Sequence, residues 1–184
     1  MRGNAASITW EEMTIFFIRH GETTGDVENR YGGAYDDHLT ERGRMQAEEL
    51  AGKLSQKGIE VIFSSPFFRA RETAEILAKK LGCEIMVKQH LRERSMYGVL
   101  TGMKREEAKK LYPDLVELVK DQMNTLPGAE SYQDFSNRIQ LKVLFRDILK
   151  KGEIGDVADC GYVECEVERG NLKVNVLHGI TTMD

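Results

Sequence analysis

The stretch TIFFIRHGETTGD, from Thr14 to Asp26, decides the fold of this 184-residue chain. Within it, the unbroken apolar run Ile15 to Ile18 is followed at once by Arg19 and His20, and then by a glycine. An apolar run of this length that ends at a glycine predicts a buried strand of a parallel sheet. Because ligands bind beyond the carboxyl ends of such strands, Arg19 and His20 are expected at the mouth of a cleft.

The two residue types at this strand end indicate a particular chemistry. Histidine can act as a nucleophile as well as a base. A guanidinium beside it favours an anion, which it binds through paired hydrogen bonds. Taken alone, an Arg-His-Gly sequence is equally compatible with a polar strand end that has no chemical role, so the rest of the chain must decide.

Five stretches of the chain resemble, in order, the sequence blocks of one known family. The first stretch resembles the signature of the histidine phosphatase superfamily, which includes the cofactor-dependent phosphoglycerate mutases. Four later stretches resemble the blocks that follow: LTERGRMQAEELA (Leu39 to Ala51), FSSPFFRARETAEIL (Phe63 to Leu77), LRERSMYGVLTGM (Leu91 to Met103) and GAESYQDFSNRI (Gly128 to Ile139). The resemblance implies one histidine phosphatase-like domain over residues 1–184, with a phosphoglycerate mutase-like α/β fold of three αβα layers and a mostly parallel sheet.

Composition indicates an ordinary globular protein. Hydrophobic residues make up 41% of the chain and charged residues 30%, which is the usual balance. The net charge of -4 argues against nucleic acid or an anionic membrane as a partner. The three cysteines form no CxxC pair, the first 13 residues have no apolar core of signal-peptide length, and no run approaches a membrane span. A cytoplasmic protein with reduced thiols is expected.

Hydrophobic periodicity predicts strands that alternate with helices, which favours a parallel α/β sheet. The predicted elements are a helix from Thr40 to Gly58, a strand at Ile59–Phe63, a helix opened by Ser65-Pro66 and ended by Gly82, a strand at Glu84–Lys88, a helical region at Lys104–Met123 broken at Tyr112-Pro113, and a helix capped by Ser131. The last part of the chain reads as a β-hairpin, with strands at Gly161–Glu168 and Leu172–Leu177.

The resemblance implies roles for three residues that would surround a phosphoryl group. His20 matches the histidine that the family phosphorylates, and Arg19 and Arg69 would neutralise the phosphoryl oxygens. Arg69 is expected in the first turn of a helix, whose N-terminus also favours anions. The alternative for Arg69 is a solvated surface residue. Arg71, two positions on, is expected to face elsewhere.

Two acidic residues are also candidates for the site. Glu93 matches the family's proton donor, which a leaving alkoxide needs. Its alternative is a loop carboxylate paired with Arg92 or Arg94. Asp26 occupies the place of an asparagine that contacts the phosphate in the family, although a carboxylate there would repel a phosphate unless it is paired or protonated.

The second histidine of the family has no clear counterpart in this chain. The only downstream His-Gly is His178-Gly179, whose strand alternates polar and apolar residues, whereas the family's strand is an apolar run. The apolar stripe of the preceding helical region also changes face between Ile139 and Leu141. Both observations predict that a segment carrying the second imidazole is absent near position 140, and that the chain as written is slow or inactive. His178 as the second histidine is the alternative.

The expected function is hydrolysis of a phosphomonoester, through a phosphohistidine at His20, on a small phosphorylated metabolite. The alternatives are mutase-type phosphoryl transfer and a degenerate protein that binds a phosphorylated ligand without turnover. No metal or cofactor is expected, since arginines and imidazoles neutralise the charge. Neither nucleic acid nor membrane is an expected partner, a homodimer is left open, and the sequence does not name the substrate.

Overall fold

The computed structural model describes residues 12–138, 153–168 and 171–183. The chain divides into two compact units. One comprises residues 20–141, and the other residues 1–19 and 142–184. We describe each unit by itself, within the ranges above, and the expectation of a single domain over the whole chain stays a prediction.

The unit of residues 20–141 contains helices and a short parallel sheet. Its elements are α1 (Thr24–Val27), α2 (Glu41–Leu54), β2 (Val61–Ser64), α3 (Phe68–Leu81), β3 (Glu84–Val87), α4 (Arg105–Leu111), α5 (Pro113–Leu118) and α6 (Tyr132–Arg138). Strands β2 and β3 pair in parallel, as the alternating pattern predicted. Helix α2 packs against α3 and buries an apolar face formed by Ala47, Leu50, Ala51 and Leu54.

Helix α3 carries Arg69, and its start differs from the prediction. Instead of Ser65 capping the helix, α3 begins at Phe68, whose backbone N–H donates to Oδ1 of Asp36 at 2.7 Å. A carboxylate from a preceding loop therefore satisfies the first helical donor. Local sequence predicts a cap from neighbouring residues, whereas here a residue 32 positions away supplies the acceptor. The predicted end is confirmed, since Gly82 adopts a left-handed backbone with φ of 72°.

The predicted break at proline is also confirmed. Helix α4 ends at Leu111, and α5 starts at Pro113, because a proline disfavours helix at the residue before it. These two helices cover a second small core formed by Tyr31, Leu100, Ala108 and Leu126, all of which are at most 3% exposed. Ser131 caps α6 as predicted, with its Oγ accepting from the N–H of Asp134 at 3.0 Å.

The other unit contains a three-stranded antiparallel sheet. Its strands are β1 (Glu12–Ile18), β4 (Glu153–Glu168) and β5 (Asn171–Met183), in the order β1-β4-β5. The C-terminal hairpin is confirmed, with longer strands than predicted. Its small core contains Val163 and Cys165, on which Phe17 and Val174 pack.

The prediction that β1 is a buried strand with parallel neighbours is corrected by this sheet. Strand β1 pairs with β4 in the antiparallel direction, and its residues Ile15 to Ile18 are half-buried. An apolar run indicates a strand whose side chains pack against other apolar residues. It does not specify the direction of the neighbour, which depends on the path of the chain elsewhere.

Two predictions fall partly or wholly outside the described ranges. The helical stripe beyond Gln140 and the proposed absence of a segment near that position both lie among residues 139–152, which the structure does not describe.

In the described ranges, none of the helices has the length and apolar content that crossing a bilayer requires.

Candidate active site

The segment that carries His20 is fixed by close contacts with α2 and α3. The backbone N–H of Gly21 donates to Oγ1 of Thr73 in α3 at 3.3 Å, and the N–H of Glu22 donates to Oε1 of Gln46 in α2 at 2.8 Å. A Cβ atom added at Gly21 would lie 2.4 Å from the carbonyl oxygen of Gly43. The glycine after His20 is therefore required for the segment to lie against the first turn of α2.

The hydrogen bond of the His20 ring identifies its tautomer. Its Nδ1 atom lies 2.8 Å from the carbonyl oxygen of Gly21. A carbonyl oxygen only accepts, so Nδ1 must carry the proton and donate it. When this half-buried ring is neutral, its lone pair is then on Nε2, and in that form an imidazole can attack an electrophile.

Arg69 lies near the start of α3, as predicted, but it is buried at 4% exposure. Its Nη1 donates to the carbonyl of Tyr35 at 2.7 Å and to Oδ1 of Asp37 at 3.1 Å. Its Nη2 donates to the carbonyl of Gly33 at 2.9 Å and to Oε2 of Glu93 at 2.8 Å. Three of these four acceptors thus belong to the loop before α2, and the fourth belongs to Glu93.

Glu93 pairs with Arg69, which lies 24 positions before it in the chain. Its carboxylate is 52% exposed, so it is accessible to water and to a ligand. Arg94, a partner considered from the sequence, is buried at 5% and donates to the backbone carbonyls of Gln122, Asn124 and Glu130. Burial lowers the pKa of its guanidinium. Arg94 thus holds the next loop in place, and the structure brings the predicted proton donor to the predicted phosphate ligand.

Asp26 has an evident structural role. Its Oδ2 accepts from both the backbone N–H and the Oγ1–H of Thr23, each at 2.9 Å, and its own N–H donates to Oγ1 of Thr23 at 3.1 Å. These reciprocal bonds form a capping box at the start of α1. The hydroxyl partner reduces the repulsion expected of an isolated carboxylate, and the substrate-binding role of Asp26 stays a prediction.

Arg19 lies at the end of β1 in the other unit. Its guanidinium is 33% exposed and contacts Oδ1 of Asp159 at 2.8 Å, while Nη1 also donates to the carbonyl of Val157 at 2.7 Å. Its backbone N–H continues the pairing with β4 by donating to Gly161 at 2.9 Å. Its proposed function as a phosphate ligand is untested by these contacts.

The remaining histidines of interest have aromatic neighbours. His178 is exposed on β5, opposite Tyr162, and the two rings are stacked with centroids 5.1 Å apart. His38 pairs with Glu72 at 2.6 Å and stacks on Phe68 with centroids 4.6 Å apart. His38 is 59% exposed and therefore lies at the surface.

Sequence reasoning missed Asp37, whose side chain is 6% exposed and contacts Arg69. The sequence shows only a loop with two adjacent aspartates, and nothing in that pattern distinguishes the buried one. Tyr97 is a second residue near this end of the site. Burial raises the pKa of its phenol, and the positive charge of Arg105, together with a hydrogen bond to it, opposes that effect.

No cluster of three or more acidic, histidine or cysteine side chains within the described ranges could hold a metal ion.

Comparison with known proteins identifies the family. The family model of the histidine phosphatase superfamily, branch 1, matches residues 15–158. The chain belongs to the histidine phosphatase superfamily. A probable phosphoglycerate mutase GpmB from Escherichia coli is 37% identical over 131 residues. That match covers 69% of this chain and 60% of the relative, so the chain spans less than two thirds of that relative's length.

Solved structures of two phosphatases share the fold of this chain. A mycobacterial glucosyl-3-phosphoglycerate phosphatase in complex with VO3 has a TM-score of 0.75 at 21% identity, covering 90% of this chain and 99% of its own. An alpha-ribazole phosphatase from Shigella flexneri has a TM-score of 0.77 at 19% identity, covering 94% of this chain and all of its own. At these identities the likeness concerns the fold, and it confirms the predicted phosphoglycerate mutase-like α/β class.

Proposed function

We propose that this histidine phosphatase superfamily member hydrolyses a phosphomonoester of a small metabolite through a phosphohistidine at His20. The observation that carries the proposal is the 2.8 Å contact between Arg69 and Glu93, to which we assign the roles of phosphate ligand and proton donor. Three features support it further: the family, the Nε2 lone pair of His20, and the attachment of Gly21 to Thr73, one helical turn from Arg69.

In the first step, Nε2 of His20 attacks phosphorus and the bond from phosphorus to the ester oxygen breaks. The leaving oxygen takes a proton from the carboxylic acid form of Glu93, which general acid catalysis requires. Arg69 neutralises charge on the equatorial phosphoryl oxygens. We assign the same role to Arg19, and we assign to Asp26 a contact with the substrate.

In the second step, water attacks the phosphohistidine and the bond between phosphorus and nitrogen breaks. The carboxylate of Glu93 accepts the proton that the water loses, so Glu93 returns to its acid form and His20 to its neutral form. The products are inorganic phosphate and an alcohol. This cycle consumes one water per ester and needs no metal or organic cofactor.

The experiment that tests the proposal is release of inorganic phosphate from p-nitrophenyl phosphate, together with acid-quench detection of a phosphorylated histidine. We expect phosphate release and a label on His20. The sequence predicts slow turnover, because loss of a preorganised group that stabilises the transferring phosphoryl typically costs about 100- to 1,000-fold. Absence of both phosphate and label at high enzyme concentration would contradict hydrolysis and favour the ligand-binding alternative.

Phosphoglycerate mutase activity is the second candidate. The observation that favours it is the 37% identity to relatives named as probable phosphoglycerate mutases. A mutase returns the phosphoryl group to a second oxygen of the substrate. Incubation with 3-phosphoglycerate separates the two functions, since a mutase yields the 2-isomer and a phosphatase yields glycerate and phosphate.

A further inference from the structure

Asp37 is buried against Arg69, and each of its carboxylate oxygens has its own donor. Oδ1 accepts from Nη1 of Arg69 at 3.1 Å, and Oδ2 accepts from the backbone N–H of Gly25 at 3.1 Å. We propose that Asp37 is a positioning residue that orients the Arg69 guanidinium for the phosphoryl group. This proposal rests on the function proposed above.

The hydrogen bonds of Arg69 show what orientation Asp37 enforces. The two terminal nitrogens of a guanidinium carry four N–H groups. Three of them donate to the loop at Gly33, Tyr35 and Asp37, and the fourth donates to Glu93. The acceptors on the loop are backbone carbonyls and a buried carboxylate, whereas Glu93 is 52% exposed. A ligand can therefore replace Glu93 far more readily than it can replace the loop.

Charge alone does not explain a carboxylate at this position. A negative charge beside Arg69 lowers the attraction of the guanidinium for a phosphate. Burying both charges at 5–6% exposure also has a desolvation penalty that the attraction between them repays only when the geometry is good. Asp37 thus lowers the attraction of the guanidinium for phosphate, but it keeps the buried charge paired and fixes the direction of the N–H that faces Glu93.

The two N–H groups that donate to Asp37 require a carboxylate as their acceptor. A carboxamide has one acceptor oxygen and one NH₂ donor. Asp37→Asn would consequently leave either Gly25 or Arg69 with an N–H that faces another N–H. Asp37→Glu retains the charge but extends the side chain by one methylene, which displaces both oxygens. The two variants therefore separate the charge of Asp37 from its geometry.

The test measures kcat/KM for p-nitrophenyl phosphate in both variants, with Asp114→Asn as the control. Asp114 is an exposed acid in the first turn of α5. We expect both Asp37 variants to lose about 100-fold, because a misplacement of about 1 Å in a catalytic arrangement can have that effect, and D114N to match the parent. Parent-level rates in D37N and D37E would overturn the proposal.

A double-mutant cycle distinguishes positioning from a general structural role. If Asp37 acts through Arg69, adding D37N to Arg69→Ala should change the residual rate by no more than about twofold, within the error of additive effects. An unchanged 100-fold loss in the Arg69→Ala background would overturn the proposal, because Asp37 would then act without Arg69.

A spectroscopic measurement keeps the proposal testable even if the parent shows no turnover, which would contradict the proposed function alone. In nitrogen-15 spectra of the ligand-free protein, we expect resolved Nη signals from Arg69, because its four N–H groups have fixed partners. In D37N these signals should broaden or merge as the guanidinium rotates. Identical Arg69 signals in the parent and D37N would overturn the positioning role.

Discussion

Two arginines that the sequence assigned to the same task lie in very different surroundings. Arg69 is 5% exposed at its side chain and pairs with Asp37, which is 6% exposed. Arg19 is 33% exposed and pairs with Asp159, which is 23% exposed. The Arg69 guanidinium donates to four acceptors, three on a loop and one on Glu93. The Arg19 guanidinium contacts Val157 and Asp159 on β4.

The difference shows that the residue type does not fix how a cation is used. A buried guanidinium with fixed acceptors can direct one N–H at a ligand, but it needs its carboxylate partner in order to remain buried. A half-exposed guanidinium retains water and contributes through its charge, and its ion pair adds little to stability. Arg69 is thus built into the interior of its unit, and Arg19 is held at the end of a strand.

The largest expected effect comes from the residue that follows Arg19 in the chain. We expect His20→Ala to abolish phosphate release from p-nitrophenyl phosphate, because the proposed reaction would then have no nucleophile. The measurement compares rates of the variant and the parent at equal enzyme concentration. Release of phosphate by His20→Ala at the parent's rate would refute the phosphohistidine at His20, and with it the role that we assign to the two arginines.

The second effect is on stability, and it tests the comparison directly. Arg69→Ala leaves the Asp37 carboxylate buried without its cation, so we expect the free energy of unfolding to fall by about 3–5 kcal/mol. Asp159→Ala breaks the half-exposed pair of Arg19 and should lower it by about 1 kcal/mol or less. Urea unfolding measures both values. Equal losses would mean that burial does not distinguish the two ion pairs.

The third effect is on anion binding. We expect Arg69→Ala to weaken vanadate binding by about 1.5–3 kcal/mol, the usual contribution of a charge-assisted hydrogen bond. The matched control is Arg71→Ala, because Arg71 is 46% exposed and pairs with Glu75 on the same helix at 3.5 Å. Titration at a temperature where both variants are folded gives the two affinities. Similar affinities of the two variants would show that Arg69 has been wrongly assigned as the residue of α3 that binds the anion.

The smallest expected effect concerns the backbone beside His20. Gly21→Ala places a Cβ 2.4 Å from the carbonyl oxygen of Gly43, so we expect a loss of about 1–3 kcal/mol in the free energy of unfolding. Gly52→Ala is the control, since a Cβ there meets nothing within 4 Å and alanine favours a helix by about 1 kcal/mol over glycine. Gly52→Ala should therefore be neutral or stabilising. An unchanged free energy of unfolding in Gly21→Ala would show that the segment at Gly21 separates easily from the first turn of α2.

Local sequence was sufficient for most elements of the unit of residues 20–141. The cap at Thr40, the glycine end of α3 and the break before Pro113 follow from interactions within a turn or two of helix, which the sequence shows directly. The order of five family blocks was likewise sufficient for the family and its α/β fold, both of which are confirmed. The same blocks selected His20, Arg69 and Glu93, whose roles stay predictions.

Only the tertiary structure decided which partners these residues have. The contact of Asp37 with Arg69 joins positions 32 apart, and that of Arg69 with Glu93 joins positions 24 apart. The antiparallel pairing of β1 with β4 joins segments that are farther apart still. A sequence pattern reports the preferences of a residue and its near neighbours. The choice between two adjacent aspartates, or between two directions of a neighbouring strand, depends on the path of a loop through space.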